Sequence, residues 1–131
     1  RIRRHLTERD GWGFTTLECG KNLLSLLDDP QVDPSGAFLL DSVTALLSNE
    51  MFDEHGEFDP DAAKRTREDL TEFAAKTGST VFVSDYIYSD ACEYSEAVEA
   101  YRQGLAAADR ALASVCERVI EISGGMEEIW K

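Results

Sequence analysis

Apolar residues along this chain fall into two short unbroken runs and several spaced stripes. The runs are Ala37–Leu40 and Thr80–Ser84, TVFVS. Both have strand length, and both predict strands buried on two faces. A carboxylate follows each at once, Asp41 after the first and Asp85 after the second. Between them the spacing becomes helical. Val43, Leu46 and Leu47 follow the first strand, Met51–Asp59 reads as an acidic loop, and Ala63, Leu70, Phe73 and Ala74 give a second helix its buried side. Asp59-Pro60 predicts the start of that helix, with Asp at the cap and Pro at the first helical position; Gly78 predicts its end.

The flanks carry weaker patterns. Arg1–Arg9 reads as a short helix or helix end. Gly11 and Gly13 predict a turn, Phe14–Leu17 a short strand, and Trp12 a packing residue. Cys19–Asp29 predicts a helix with Leu23, Leu24, Leu26 and Leu27 turned inward and Pro30 as its stop; Asp33–Gly36 is a turn. Tyr86–Tyr94 is polar and aromatic and reads as a loop. Ser95 can cap a long helix whose stripe is Val98, Tyr101, Leu105, Ala108, Leu112, Val115 and Val119, expected to pack on the sheet. The end predicts a β-hairpin: Val119, Ile120 and Ile122, a turn at Ser123-Gly124-Gly125, then Met126–Trp130.

Two apolar strands, each closed by an acid and joined through helices, predict a mostly parallel α/β sheet with a site along its carboxyl edge. Asp41 then has two readings. It can handle Mg²⁺ or a polar edge of a nucleotide, or it can cap the helix that begins beside it.

Composition narrows the function classes. The 131 residues fit one domain. A net charge of −13 argues against nucleic-acid binding and leaves room for a small nucleotide in a local pocket. Cys19, Cys92 and Cys116 are odd in number and form no CxxC pair, so they read as reduced cytosolic thiols, with no metal site expected. No apolar run reaches transmembrane length and no signal peptide is apparent, which predicts a cytoplasmic protein. His55 reads as a surface residue.

Arg1–Arg9, RIRRHLTER, is the one basic cluster and holds four of the 13 Lys and Arg residues. It reads either as a solvated face or as a phosphate-binding patch. Neighbouring guanidinium groups would lower the pKa of His5 and leave a neutral, nucleophilic imidazole. GxSxG, HExxH and GxGxxG are absent, and so is the phosphate-cradling GxxxxGK[ST] loop.

The ordered set of these elements resembles the bifunctional adenosylcobinamide kinase / adenosylcobinamide-phosphate guanylyltransferase family. The likeness lies in RIxxH with Arg9 four residues after His5, in Trp12 and Thr16-x-Glu18, and in LLDSVTALLSN. It continues through the Asp59-Pro60 helix, the VFVS strand and the long Ala-rich helix to Ser123-Gly124. The resemblance implies a P-loop NTPase-like (RecA-like) fold that lacks its first strand–loop–helix unit, a piece of about 30 residues. Residues 1–131 would then be a single nucleotide-binding domain, a fragment of a longer chain, and alone neither fully stable nor competent for phosphoryl transfer.

The resemblance further implies a place in nucleotide-loop assembly of cobalamin, with GTP or ATP as substrate and Mg²⁺ beside it. His5 would be the histidine that carries GMP. Leu6, Thr7, Glu8 and Arg9, with Glu18 and Asp41, would contact GTP. The partners implied are a corrinoid acceptor, the nucleotide and further copies of the chain, with a trimer as the suggested form. The pattern departs from the family after the second strand, where Asp85-Tyr86-Ile87-Tyr88 replaces Asn-Glu-x-Gly. In the long helix Arg102 matches, while Gln103 replaces an acid and Asp109 an Asn. A second reading is a non-catalytic relative that serves as a subunit- or partner-binding domain.

Overall fold

Thr7 and residues 10–131 are described by a computed structural model. The central apolar run forms β1 (Ala37–Asp41) and leads into α1 (Val43–Met51). Next come α2 (Ala62–Lys76), β2 (Ser79–Val83) and α3 (Glu96–Val115). A hairpin of β3 (Ile120–Ser123) and β4 (Met126–Ile129) follows. β1 and β2 pair in parallel, with Ala37 opposite Ser79 and Asp41 opposite Val83; β3 and β4 pair antiparallel. The chain is therefore α/β, a small parallel sheet flanked by helices with an antiparallel hairpin after it. The parallel sheet, the hairpin and the two helices between the strands follow the sequence expectation.

The helices supply most of the core. Val43, Leu46, Leu47 and Met51 of α1 meet Leu70 and Phe73 of α2 and Leu105, Ala108 and Leu112 of α3. The sheet joins through one face only, where Phe38 meets the Phe73 ring edge-on at 5.4 Å. β1 and β2 are thus not buried on both faces as their unbroken apolar runs predict. Phe38, Leu40 and Phe82 are half-buried, whereas Leu39, Val81 and Val83 are exposed. An unbroken apolar run is compatible with two covered faces, but alternation sends successive side chains to opposite sides, and helices cover only one.

Three further expectations change. Phe14–Leu17 forms no strand, and Phe14, Leu17 and Trp12 are exposed. A strand exists only through a ladder partner, and among the described residues this stretch has none. The helix expected over Cys19–Asp29 shrinks to a 3-10 helix at Leu23–Asp28, with Leu23 buried and the other leucines half-buried. Asn22 before it takes a left-handed conformation that an α-helix cannot continue through. α2 starts at Ala62, two residues after Pro60. Asp59 instead shapes the preceding turn, accepting from the Asp61 amide at 3.0 Å and pairing with Arg65 at 2.7 Å.

The long helix keeps its stripe from Val98 to Leu112 and uses it differently; Val115, its last residue, is exposed, and Val119 lies beyond its end. α3 packs chiefly on α2 and α1 rather than on the sheet. Gly104 lies so close to α2 that a Cβ there would come within 2.9 Å of the Ala63 Cβ. The small residue lets the two helices approach, and bulkier side chains at this point would hold them apart.

Candidate functional site at the carboxyl edge of the sheet

Because β1 and β2 run parallel and in register, their carboxyl ends reach one edge together. Asp41 stands there, exposed, with Ser84 and Asp85 leaving β2 beside it. Ser42 caps α1: its hydroxyl accepts from the Ala45 amide at 3.2 Å. The capping role open to Asp41 from sequence therefore falls to its neighbour. The Asp41–Ser42 peptide bond is cis.

Thr44, in the first turn of α1, binds this edge together. Its hydroxyl accepts from the Asp85 amide at 2.9 Å, and its carbonyl accepts from the Tyr101 hydroxyl of α3 at 2.9 Å. A strand end, a helix start and the long helix thus meet at one residue.

The segment after β2, expected to be a loop, is irregular and is fastened to α3 at two points. Tyr88 donates its hydroxyl to Asp109 at 3.0 Å. Burial raises the pKa of Asp109, and the hydrogen bond from the Tyr88 hydroxyl offsets only part of that. Burial, with the Asp109 charge, also pushes the Tyr88 phenol well above its usual range. The second point is Arg102, a guanidinium buried on α3. It donates to the Ile87 carbonyl at 3.4 Å, to Asp90 at 3.0 Å and to Glu99 one turn back.

The Tyr94 ring lies 4.5 Å from the Arg102 guanidinium, and the Tyr94 hydroxyl donates to Asp90 at 2.8 Å. Burial acts to lower the Arg102 pKa, but Glu99 and Asp90 outweigh it and hold the group charged. The Tyr94 hydrogen bond, with help from Arg102, keeps Asp90 below the usual carboxylate range, and Tyr94 in turn is raised to about 12. Between this segment and α3 runs a groove of about 510 Å³, rimmed by Tyr88, Cys92, Gln103, Ala106 and Arg110.

The residues expected in the site fall in three places. Asp41 is at the edge. Glu18 is exposed in irregular chain, and Cys19–Asn22 directly after it lie against the last turn of α1, where the Asn22 amide donates to Glu50 at 2.6 Å. Asp41 precedes the first turn of the same helix, so the chain that follows Glu18 and Asp41 meet α1 at opposite ends. Thr7 is exposed. His5, Leu6, Glu8 and Arg9, and the short helix expected at Arg1–Arg9, lie outside the described residues apart from Thr7.

Sequence reasoning passed over Thr44 and the buried role of Arg102, and it met Tyr88 and Asp109 only as departures from the family pattern. Arg102 did carry a signal. It sits three residues before Leu105 on the stripe's own face, a position where a charge must find partners.

His55 is exposed, and among the described residues no group of three or more His, Cys, Asp or Glu side chains is placed to hold a metal ion. Cys19, Cys92 and Cys116 are free thiols. No helix among the described residues is long and apolar enough to cross a membrane.

The fold is that of an α/β protein, a class whose open sheets take ligands at the carboxyl ends of parallel strands. Within that class the chain belongs to the cobinamide kinase / cobinamide phosphate guanyltransferase family, whose model matches residues 1–128. The family comprises kinases and guanylyltransferases of cobalamin biosynthesis that use GTP or ATP as nucleotide substrate. No curated protein matches the chain.

Proposed function

We propose that this chain is the nucleotide-binding domain of an adenosylcobinamide kinase / adenosylcobinamide-phosphate guanylyltransferase with a P-loop NTPase-like fold. The observation that carries the reading is the family match over residues 1–128. Asp41, standing where α/β sheets of this kind bind ligands and relieved of capping by Ser42, supports it.

In the guanylyl step a neutral His5 nitrogen attacks the α-phosphorus of GTP. The P–N bond forms as the α–β bridging bond breaks, and pyrophosphate leaves. A phosphate oxygen of the corrinoid acceptor then attacks the same phosphorus, the P–N bond breaks, and His5 is regenerated. Leu6, Thr7, Glu8 and Arg9 line the nucleotide; Arg9 balances charge on the phosphates as it redistributes. Glu18 and Asp41 are its carboxylate contacts, and a carboxylate can accept both N1–H and N2–H of guanine. Mg²⁺ fits this edge, because it needs only one or two carboxylates besides nucleotide phosphates, and Asp41 and Asp85 offer them. When bound it neutralises phosphate charge.

The protein acts in the cytoplasm, as free thiols and an acidic surface suit. It works as an oligomer, a trimer by the family resemblance. The exposed hairpin, with Ile122, Met126 and Trp130 on its surface, supplies apolar area for contact between copies.

The test is intact-mass and peptide analysis of the full natural chain after incubation with GTP and Mg²⁺. A GMP adduct that is acid-labile and base-stable, on the peptide containing His5 and lost in His5→Ala, is the expected result. GTP binding without an adduct would remove the histidine mechanism.

A further inference from the structure

Tyr86 and Ile87 stand directly after the carboxyl end of β2, and they are 67% and 42% exposed. Large apolar side chains on a loose loop would mean little. Here the backbone beneath them is fastened on every side. The Asp85 amide is held by Thr44, the Ile87 carbonyl by the buried Arg102, and Tyr88 by Asp109. The Tyr88 ring also supports Tyr86, with centroids 4.7 Å apart and planes at 69°. An exposed ring held this firmly loses little freedom on meeting a ligand, which is the condition under which an aromatic contact yields affinity.

We propose that Tyr86, flanked by Ile87, is the platform for the flat face of the corrinoid acceptor, with the adjoining groove taking its amide side chains. The assignment rests on the acceptor chemistry given under Proposed function. Three observations favour the acceptor over the nucleotide. The buried guanidinium in the groove is already paired with Glu99 and Asp90, so it is not available to triphosphate charge. The charges that line the groove balance, Asp90 and Glu99 against Arg102 and Arg110, which leaves no net positive charge to draw a polyphosphate and suits a ligand fringed with neutral amides. Gln103 and Arg110 on the rim offer donors, and Gln103 an acceptor, for neutral amides. A broad ring with an apolar face and an amide fringe matches a platform beside a polar groove.

The experiment is equilibrium binding of cobinamide, followed by its visible absorption, to the full natural chain and its variants, with GTP binding measured in parallel. Tyr86→Ala should weaken cobinamide binding and raise the acceptor KM by roughly three- to tenfold, the range of one aromatic contact, with GTP affinity unchanged. Tyr86→Phe should bind as the parent does. Tyr86→Leu fills the space without a ring and should resemble Tyr86→Ala, which keeps the test decisive if the alanine variant folds poorly. Cobinamide affinity equal to the parent's in both Tyr86→Ala and Tyr86→Leu overturns the platform and leaves the proposed function standing. A parent that binds GTP and no cobinamide overturns both.

Discussion

The Asp85 amide donates to the Thr44 hydroxyl at 2.9 Å, across 41 residues of sequence. This bond sets where the chain goes after β2, because the next residues have no ladder to follow. Thr44→Val keeps the shape and removes the acceptor. It should lower stability by about 1 kcal/mol, read as a shift in the urea midpoint with an unchanged slope. The same variant should loosen the Asp85–Tyr88 stretch, seen as faster amide exchange there than in α2.

Arg102 has a larger effect. Its side chain is buried and touches a carbonyl, two carboxylates and an aromatic face. Removing it leaves Asp90 and Glu99 close together with no countercharge. Because both carboxylates are partly exposed, water softens the loss. Arg102→Ala should therefore cost about 2–3 kcal/mol, below the full penalty for breaking a buried pair. Arg102→Lys, which keeps the charge and loses the fork, should fall between the two proteins. Denaturant melts give the energies, and limited proteolysis should show new cleavage within residues 86–94.

Asp109 makes stability depend on pH in a defined direction. Folding raises its pKa above the ordinary 3.8, so the folded chain holds this proton more tightly than the unfolded chain. The contribution favours folding below pH 3.8 and is lost as pH climbs through the raised value. Asp90, Asp33 and Asp59 shift downward and act oppositely, favouring folding above 3.8 and losing that as pH falls. Asp109→Asn cannot titrate and can still accept from Tyr88. Its stability relative to the parent should therefore rise as pH is raised from about 4 to about 7, as measured by thermal melts across that range.

Gly78 marks a close approach of two turns. A Cβ here would overlap the Ser35 carbonyl oxygen, and the Gly78 amide already donates to the Pro34 carbonyl at 2.8 Å. Backbone would have to move, since no side chain can rotate away. Gly78→Ala should destabilise by about 1–3 kcal/mol in the same denaturant melts, with the folded far-ultraviolet spectrum retained.

How far the sequence spoke can be judged from particular residues. Ser95 announced α3 and its hydroxyl does accept from the Val98 amide; the runs at Ala37–Leu40 and Thr80–Ser84 did become paired parallel strands. Local chemistry decides these features, so a local reading finds them. The exposure of Leu39, Val81 and Val83 was not legible, because it depends on which layers lie over the sheet. The failure of Phe14–Leu17 to form a strand is of the same kind, as propensity cannot supply a partner. At the site, Asp41 was visible because an acid directly after an apolar run is conspicuous. Thr44 was not, since its partners Asp85 and Tyr101 lie 41 and 57 residues away; Arg102 showed only that a charge on the apolar stripe needs partners, and two of them, Asp90 and Ile87, lie 12 and 15 residues back in irregular chain. The role of Gly78 could be guessed as a helix stop, but its contact with Ser35 could not.

The one-sided burial of the sheet has a colloidal consequence. Leu39, Val81 and Val83 present an oily strip on a molecule whose formal charge is −13. At low ionic strength, around 0.01 M, repulsion reaches about 30 Å and keeps such strips apart; at about 0.15 M it reaches about 8 Å. Residues 1–131 should therefore remain dispersed in dilute buffer and scatter more light as salt is added, and Val81→Lys should suppress that rise.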